Sequence, residues 1–165
     1  MTISLFWIKP SHRSWAEQAI GGAIFLLLSF TVKWAARFFM TAPRVQEFFS
    51  SHWALSMAIS NPPWIAYHFL IAGAMWILWR RYSLRVLSLE LAIFLCALFL
   101  EIGWSLSFYC DEPLFALATL VFLCSSAILG ALLYWKKERF SGQAFLLSFL
   151  WIFYVMSTNM SICMR

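Results

Sequence analysis

The 165-residue chain is dominated by apolar residues: 63% are hydrophobic, only 12% are charged, and ten Trp and seventeen Phe supply an unusual amount of aromatic surface. A soluble protein of this size cannot cover so much apolar area with so few polar groups, so the composition indicates a lipid environment. The net charge of +5 does not indicate nucleic acid, because the basic residues cluster beside apolar runs and form no face that neutralises phosphates. The length and the lack of a Gly/Ser/Pro-rich linker predict one domain, residues 1–165.

Five apolar runs are long enough to cross a bilayer as helices, since about 20 helical residues span the hydrocarbon core. We predict helices over residues 16–38, 62–79, 84–109, 113–135 and 142–164. The runs are continuous rather than alternating, which excludes transmembrane strands. The first run is longer than a signal-peptide core and is expected to be retained. The predicted fold class is therefore all-α, an integral membrane bundle of five transmembrane helices.

Lys and Arg are unequally distributed between the two ends of these helices. Eight lie on the side that carries the amino terminus, and four lie on the other side. By the positive-inside rule, we predict that the amino terminus is inside and the carboxyl terminus outside.

The connection over residues 39–61 is long for a compact domain, which is typical of a lid or a binding loop. Its large apolar side chains, Trp53 among them, need an apolar surface, so we predict a lid-like loop over the outer mouth of the bundle. A loop lying in the lipid interface is the alternative. Asn61, Pro62 and Pro63 end the loop, and we predict that Asn61 caps the second helix with the Pro pair in its first turn.

Polar residues inside the spans are the strongest evidence for a site, because a buried ionisable group in hydrocarbon is costly and generally faces the bundle interior. Four such residues lie at one depth, roughly 8 to 12 Å below the outer ends of their helices at about 1.5 Å per residue. They are His68, Glu101, Thr119 and Asn159. We therefore predict a polar site directly under the long loop.

The third predicted helix carries a stripe of residues spaced by three or four, which we expect to face inward. The stripe comprises Glu90, Phe94, Ala97, Glu101, Trp104 and Phe108. Glu101 is then either a pocket residue or a structural group, protonated or bonded to the backbone or to His68. Glu90 lies near the inner end and is predicted to pair with Arg85 or another inner-side base.

Several short motifs, in order along the chain, resemble the TspO/MBR family of tryptophan-rich sensory proteins and translocator proteins. Asn61-Pro62-Pro63 followed by Trp64 resembles the family's NPPxW motif, and residues 101–109 resemble its N-x-x-W-[ST]-P-x-F-F segment. The opening of the fourth helix at Pro113 and the later Trp151-to-Asn159 spacing also agree. The chain departs from the family at the proposed site, since Glu101 replaces an Asn and His68 lies near an expected Pro.

The resemblance implies a pocket between the five helices, closed by the first loop, that binds a flat hydrophobic ligand. It implies porphyrin or haem as that ligand, with sterol less favoured because the sterol-recognition pattern is missing before Arg165, and it implies no required cofactor. The expected function is tetrapyrrole transport, sensing or stress response in a bacterial inner membrane. The alternatives are a light-dependent porphyrin-degrading enzyme and a non-binding structural subunit. A homodimer is a further expectation, with Gly21, Gly22 and Gly130 as close-approach surfaces.

The predicted pocket combines aromatic side chains that stack on a macrocycle with polar side chains that meet its propionates or central atoms. Its residues are Trp53, Trp64, Tyr67, His68, Glu101, Trp104, Phe108, Thr119, Trp151, Val155 and Asn159. His68 is open to two interpretations, an axial ligand of haem iron or a satisfied interior histidine. We predict no metal site and no catalytic residue. A disulfide between Cys110 and Cys163, which both approach the outer face, stays open.

Overall fold

The computed structural model describes residues 14–40, 57–110 and 112–163, and within that part of the chain the protein consists of five α-helices and no strands. The helices are α1 (Trp15–Met40), α2 (Met57–Arg81), α3 (Ser88–Tyr109), α4 (Pro113–Lys137) and α5 (Arg139–Cys163). Four of the five, all except α2, are long and apolar enough to cross a membrane. The all-α prediction is confirmed.

The composition of α2, rather than its length, separates it from the other four helices. At 25 residues it has the length of a span, but it contains two internal Pro residues and the polar side chains of Tyr67 and His68. Both of those side chains are buried in the protein. The Tyr67 and His68 side chains of α2 therefore face the interior of the bundle.

The amino-terminal end of α2 differs from the prediction. The helix begins at Met57, so Pro62 and Pro63 lie inside it and residues 57–61 are helical rather than part of a loop. Asn61 therefore lies inside the helix and does not cap it. Its side-chain oxygen accepts a hydrogen bond from Lys33 Nζ on α1 at 3.0 Å. The predicted lid residues that remain, 41–56 with Trp53, lie outside the described part of the chain.

The helices pack as a closed ring in the order α1, α3, α4, α5, α2, with α2 returning to α1. The ring encloses a core of large side chains, including Ile71, Met75, Phe94, Leu120 and Leu123. Its outer surface is also apolar: Phe99, Phe122 and Phe140 are among many large hydrophobic side chains that are well exposed. A surface of this kind is stable in lipid and not in water, so the chain is an integral membrane protein.

At the predicted inner end, buried polar groups join α3 to α4. Lys137 Nζ lies 2.7 Å from Glu90 Oε1, which confirms the predicted pairing of Glu90 with an inner-side base. The Tyr134 hydroxyl donates to the backbone oxygen of Glu90 at 2.9 Å. Arg81 of α2 forms an ion pair with Glu138 in the α4–α5 connection. These contacts fix three helices relative to one another at one end of the bundle.

The glycines expected at a dimer interface are instead used for packing within the chain. A Cβ atom at Gly21 would overlap the ring of Trp79, and one at Gly130 would overlap the ring of Phe145. Gly22 lies against Trp76 in the same way. The chain's own aromatic rings therefore occupy the surfaces that the sequence suggested for a second copy.

The cysteines contribute no cross-link in the described part of the chain. Cys96, Cys110 and Cys124 are free thiols. The Cys163 side chain, the other member of the disulfide that the sequence left open, lies outside the described part of the chain.

Candidate functional site

A buried chain of hydrogen bonds links three helices in the half of the bundle predicted to be outer. Ser29 Oγ of α1 lies 2.8 Å from His68 Nδ1 of α2. His68 Nε2 lies 3.1 Å from Glu101 Oε1 of α3. Each residue sits on the inward face of its helix, so the chain crosses the interior from α1 to α3. His68 and Glu101, which the sequence placed at one depth, are thus in direct contact.

The His68 side chain is fully buried, and that of Glu101 is 4% exposed. An ionisable pair at this depth is stable only when both partners are hydrogen-bonded, since a charge in the interior without a partner is strongly unfavourable. Both ring nitrogens of His68 have partners, which agrees with the satisfied interior histidine rather than a free axial ligand. Iron ligation by His68 would require one of these two hydrogen bonds to break.

Aromatic rings surround this polar chain, and Trp64 is their common contact. The Trp64 indole stacks on Trp104 with a centroid distance of 5.4 Å and an interplanar angle of 28°. It also makes edge contacts with Tyr67 at 5.4 Å and with Trp151 at 5.8 Å. Tyr67 in turn contacts the His68 ring at 5.1 Å. Aromatic residues from α2, α3 and α5 therefore form one continuous cluster, which we call the indole cluster (Trp64, Tyr67, Trp104 and Trp151).

Three buried polar atoms of this region have no hydrogen-bond partner among the described residues. They are Glu101 Oε2, the Tyr67 hydroxyl and Trp151 Nε1. Most buried polar groups in native proteins are paired, and an unpaired one costs about 1–3 kcal/mol. Tyr67 and Glu101 are also close enough to interact electrostatically. The site thus presents both donor and acceptor capacity that the protein itself does not use.

Lys33 lies one helical turn from Ser29, toward the predicted outer end of α1. Its Nζ donates to Asn61 at 3.0 Å, and its charge interacts with the Glu101 carboxyl group. The polar side chains of α1 and α2 thus continue from the buried His68–Glu101 pair toward the end of the bundle at which residues 41–56 connect these two helices.

The remaining predicted polar residues are buried near their own helix backbones. Thr119 Oγ1 donates to the oxygen of Ala116 at 2.8 Å, and Asn159 Nδ2 donates to the oxygen of Val155 at 2.9 Å. Val155 is also buried. The structure therefore places all four polar residues in the interior but joins only His68 and Glu101 to each other.

The inward stripe of α3 is confirmed for every member with a described side chain. Glu90, Phe94, Ala97, Glu101 and Trp104 are each no more than 3% exposed. The side chain of Phe108 and the whole of Trp53 lie outside the described part of the chain. The positions of these two side chains therefore stay predictions, as does ligand binding by the whole predicted set.

Sequence reasoning missed Ser29 and the inward role of Lys33. A signal for Ser29 was present, because the buried residues of α1 follow a regular spacing of three or four. They are Gly21, Phe25, Ser29, Val32, Ala36 and Met40. A single Ser in an apolar run is common, however, and only the position of His68 across the helix interface reveals its partner.

No group of three or more His, Cys, Asp or Glu residues could hold a metal ion within the described ranges.

A model of the TspO/MBR family matches residues 22–165 of the chain. No curated protein and no solved structure matches it. The family match covers nearly the whole sequence, from Gly22 within α1 to the end of the chain. The chain therefore belongs to the TspO/MBR family.

Proposed function

We propose that this membrane protein binds a flat hydrophobic ligand of the porphyrin class between its helices, for tetrapyrrole transport, sensing or stress response. The observation that supports the proposal is the indole cluster around the buried His68–Glu101 pair. Aromatic side chains stack on flat aromatic ligands, and a few polar side chains among them fix the orientation of the ligand. Haem binds by stacking in this proposal, because His68 already has two hydrogen-bond partners.

Trp64 is the side chain that we expect the ligand to displace. Its ring is only partly buried, whereas its stacking partner Trp104 is 2% exposed. A macrocycle that replaces the Trp64–Trp104 contact would keep the area of π-contact while adding its own buried surface.

The ligand test uses protoporphyrin and the purified protein in detergent. Saturable quenching of Trp fluorescence is expected for the unaltered chain. Trp104→Ala and Trp151→Ala should each weaken the apparent affinity by about tenfold, the loss expected when a central aromatic contact is truncated. Trp34→Ala is the matched control, because Trp34 is 70% exposed on the outer surface of the ring. Equal affinity for protoporphyrin in all three variants would show that the indole cluster is not the binding site.

A non-binding structural role is the second candidate, favoured by one observation: the indoles already stack on one another and so fill part of the interior. Under that function no saturable quenching occurs. Trp104→Ala would then lower only the stability of the protein, by the several kcal/mol typical of a buried Trp truncation, about 3–5 kcal/mol. The same titration therefore separates the two functions.

We further propose that α2 also crosses the membrane, giving five spans in one domain with the amino terminus inside a bacterial inner membrane. The prediction is tested with single cysteines in a background without the native ones. An impermeant thiol reagent on intact cells should label Glu112→Cys and not Lys136→Cys, since these exposed positions lie at opposite ends of α4. Labelling of Lys136→Cys alone would show that the orientation in the membrane is the reverse of the predicted one. Labelling of both would show that α4 does not span the membrane.

A further inference from the structure

The unpaired polar atoms of the indole cluster and its neighbour Glu101 restrict the chemistry of the ligand. Glu101 is 3% exposed and Tyr67 is 1% exposed, so water at the protein surface does not reach these side chains. One Glu101 oxygen is used by His68, while the other has no partner among the described residues. The Tyr67 hydroxyl and the Trp151 N–H also have no hydrogen-bond partner among the described residues.

The neighbouring side chains do not supply what is missing. Lys33 donates to Asn61, and Thr119 and Asn159 donate to carbonyls of their own helices. What the site lacks is a donor for Glu101 Oε2 together with an acceptor for the Tyr67 and Trp151 hydrogens. A carboxylate on the ligand supplies the acceptor but has no hydrogen to donate to Glu101 Oε2, and burying its charge is costly.

We propose that the site selects a ligand that carries adjacent N–H and C=O groups, the edge of an amide or lactam, on its flat apolar body. The N–H donates to Glu101 Oε2, and the C=O accepts from the Tyr67 hydroxyl, with Trp151 Nε1 as a further donor to the same ligand edge. This inference rests on the proposed function, since it names the polar group of the ligand that the indole cluster binds. It also gives Glu101, which replaces the Asn of the family motif, a role in specificity.

Three mesoporphyrin derivatives that differ only in their side-chain termini test the proposal: the diacid, the dimethyl ester and the bis(primary amide). The ester and the amide both carry the C=O, but only the amide has an N–H on the same edge as its C=O, since a secondary amide would be trans and point the two groups apart. We expect the unaltered protein to bind the amide about tenfold or more tightly than the ester, because a hydrogen bond to a buried carboxylate is lost in the ester. The diacid should bind more weakly than the ester.

Two variants identify the protein atoms responsible. In Glu101→Gln the amide oxygen faces His68 and an NH₂ group replaces the unpaired carboxylate oxygen, so the preference for amide over ester should disappear. Tyr67→Phe should weaken amide and ester equally, by about tenfold, and leave their ratio unchanged. Because the Tyr67 hydroxyl has no partner among the described residues, Tyr67→Phe should not lower the melting temperature of the ligand-free protein.

The possible outcomes are distinct. An amide-to-ester ratio near one in the unaltered protein, or a ratio that Glu101→Gln leaves unchanged, overturns the specificity inference while binding itself stands. A failure of all three derivatives to bind overturns the proposed function and this inference together. A ratio that falls in Glu101→Gln but persists in Tyr67→Phe supports the assignment of the N–H to Glu101 and the C=O to Tyr67.

Discussion

Replacing His68 with Leu is expected to lower the free energy of unfolding by about 3 kcal/mol or more. The substitution removes the 3.1 Å hydrogen bond between His68 Nε2 and Glu101 Oε1 and leaves a buried carboxyl group without its partner among the described residues. It also removes the contact of Ser29 Oγ with the imidazole. Denaturant unfolding in detergent, followed by far-UV circular dichroism, measures the change.

The double variant His68→Leu with Glu101→Leu separates the pair from general packing damage. Replacing both members of a buried pair by apolar residues is often nearly neutral, whereas removing one member is not. We therefore expect the double variant to recover most of the stability that His68→Leu loses. Ser29→Ala should cost only about 1 kcal/mol, as a single hydrogen bond does. If the double variant is as unstable as the single one, the contact between His68 and Glu101 does not contribute to the free energy of unfolding, and the pair is not what stabilises the site.

The features that could be predicted from the sequence are those that depend on periodicity within one helix. The spacing of Glu90, Phe94, Ala97, Glu101 and Trp104 alone identified the inward face of α3, because residues three and four apart share a helix face. The same rule identified Glu90 as needing an inner-side base, and Lys137 provides it. The depth estimate brought His68 and Glu101 to one level, since the rise per residue is fixed.

The features that could not be predicted depend on what a neighbouring helix presents. Asn61 has the residue type of a helix cap, yet Lys33 of α1 binds its side chain and α2 begins at Met57. Gly21 and Gly130 have the residue type of a dimer surface, yet Trp79 and Phe145 of the same chain pack against them. Side-chain partners across helices are set by helix rotation and order in the ring, which one sequence does not encode in any local pattern.

Gly142→Ala is the other substitution with a large expected effect, because the α4–α5 connection is the tightest in the described chain. Only Glu138 separates the end of α4 at Lys137 from the start of α5 at Arg139. A Cβ atom at Gly142 would lie 2.7 Å from Cα and Cβ of Trp135 and 2.8 Å from its backbone nitrogen. Backbone atoms cannot rotate away as a side chain can, so the two helices must separate.

We expect Gly142→Ala to cost about 2–3 kcal/mol, at the upper part of the range for overpacking. Gly73→Ala is the matched control in the middle of α2, where an added Cβ meets no atom within 4 Å. There the higher helix propensity of Ala should leave stability unchanged or raise it by up to about 1 kcal/mol. Thermal unfolding of both variants beside the unaltered protein measures the difference. Equal stability of the two variants would mean that the α4–α5 connection relaxes without cost, and that Gly142 is not required for the close approach of these helices.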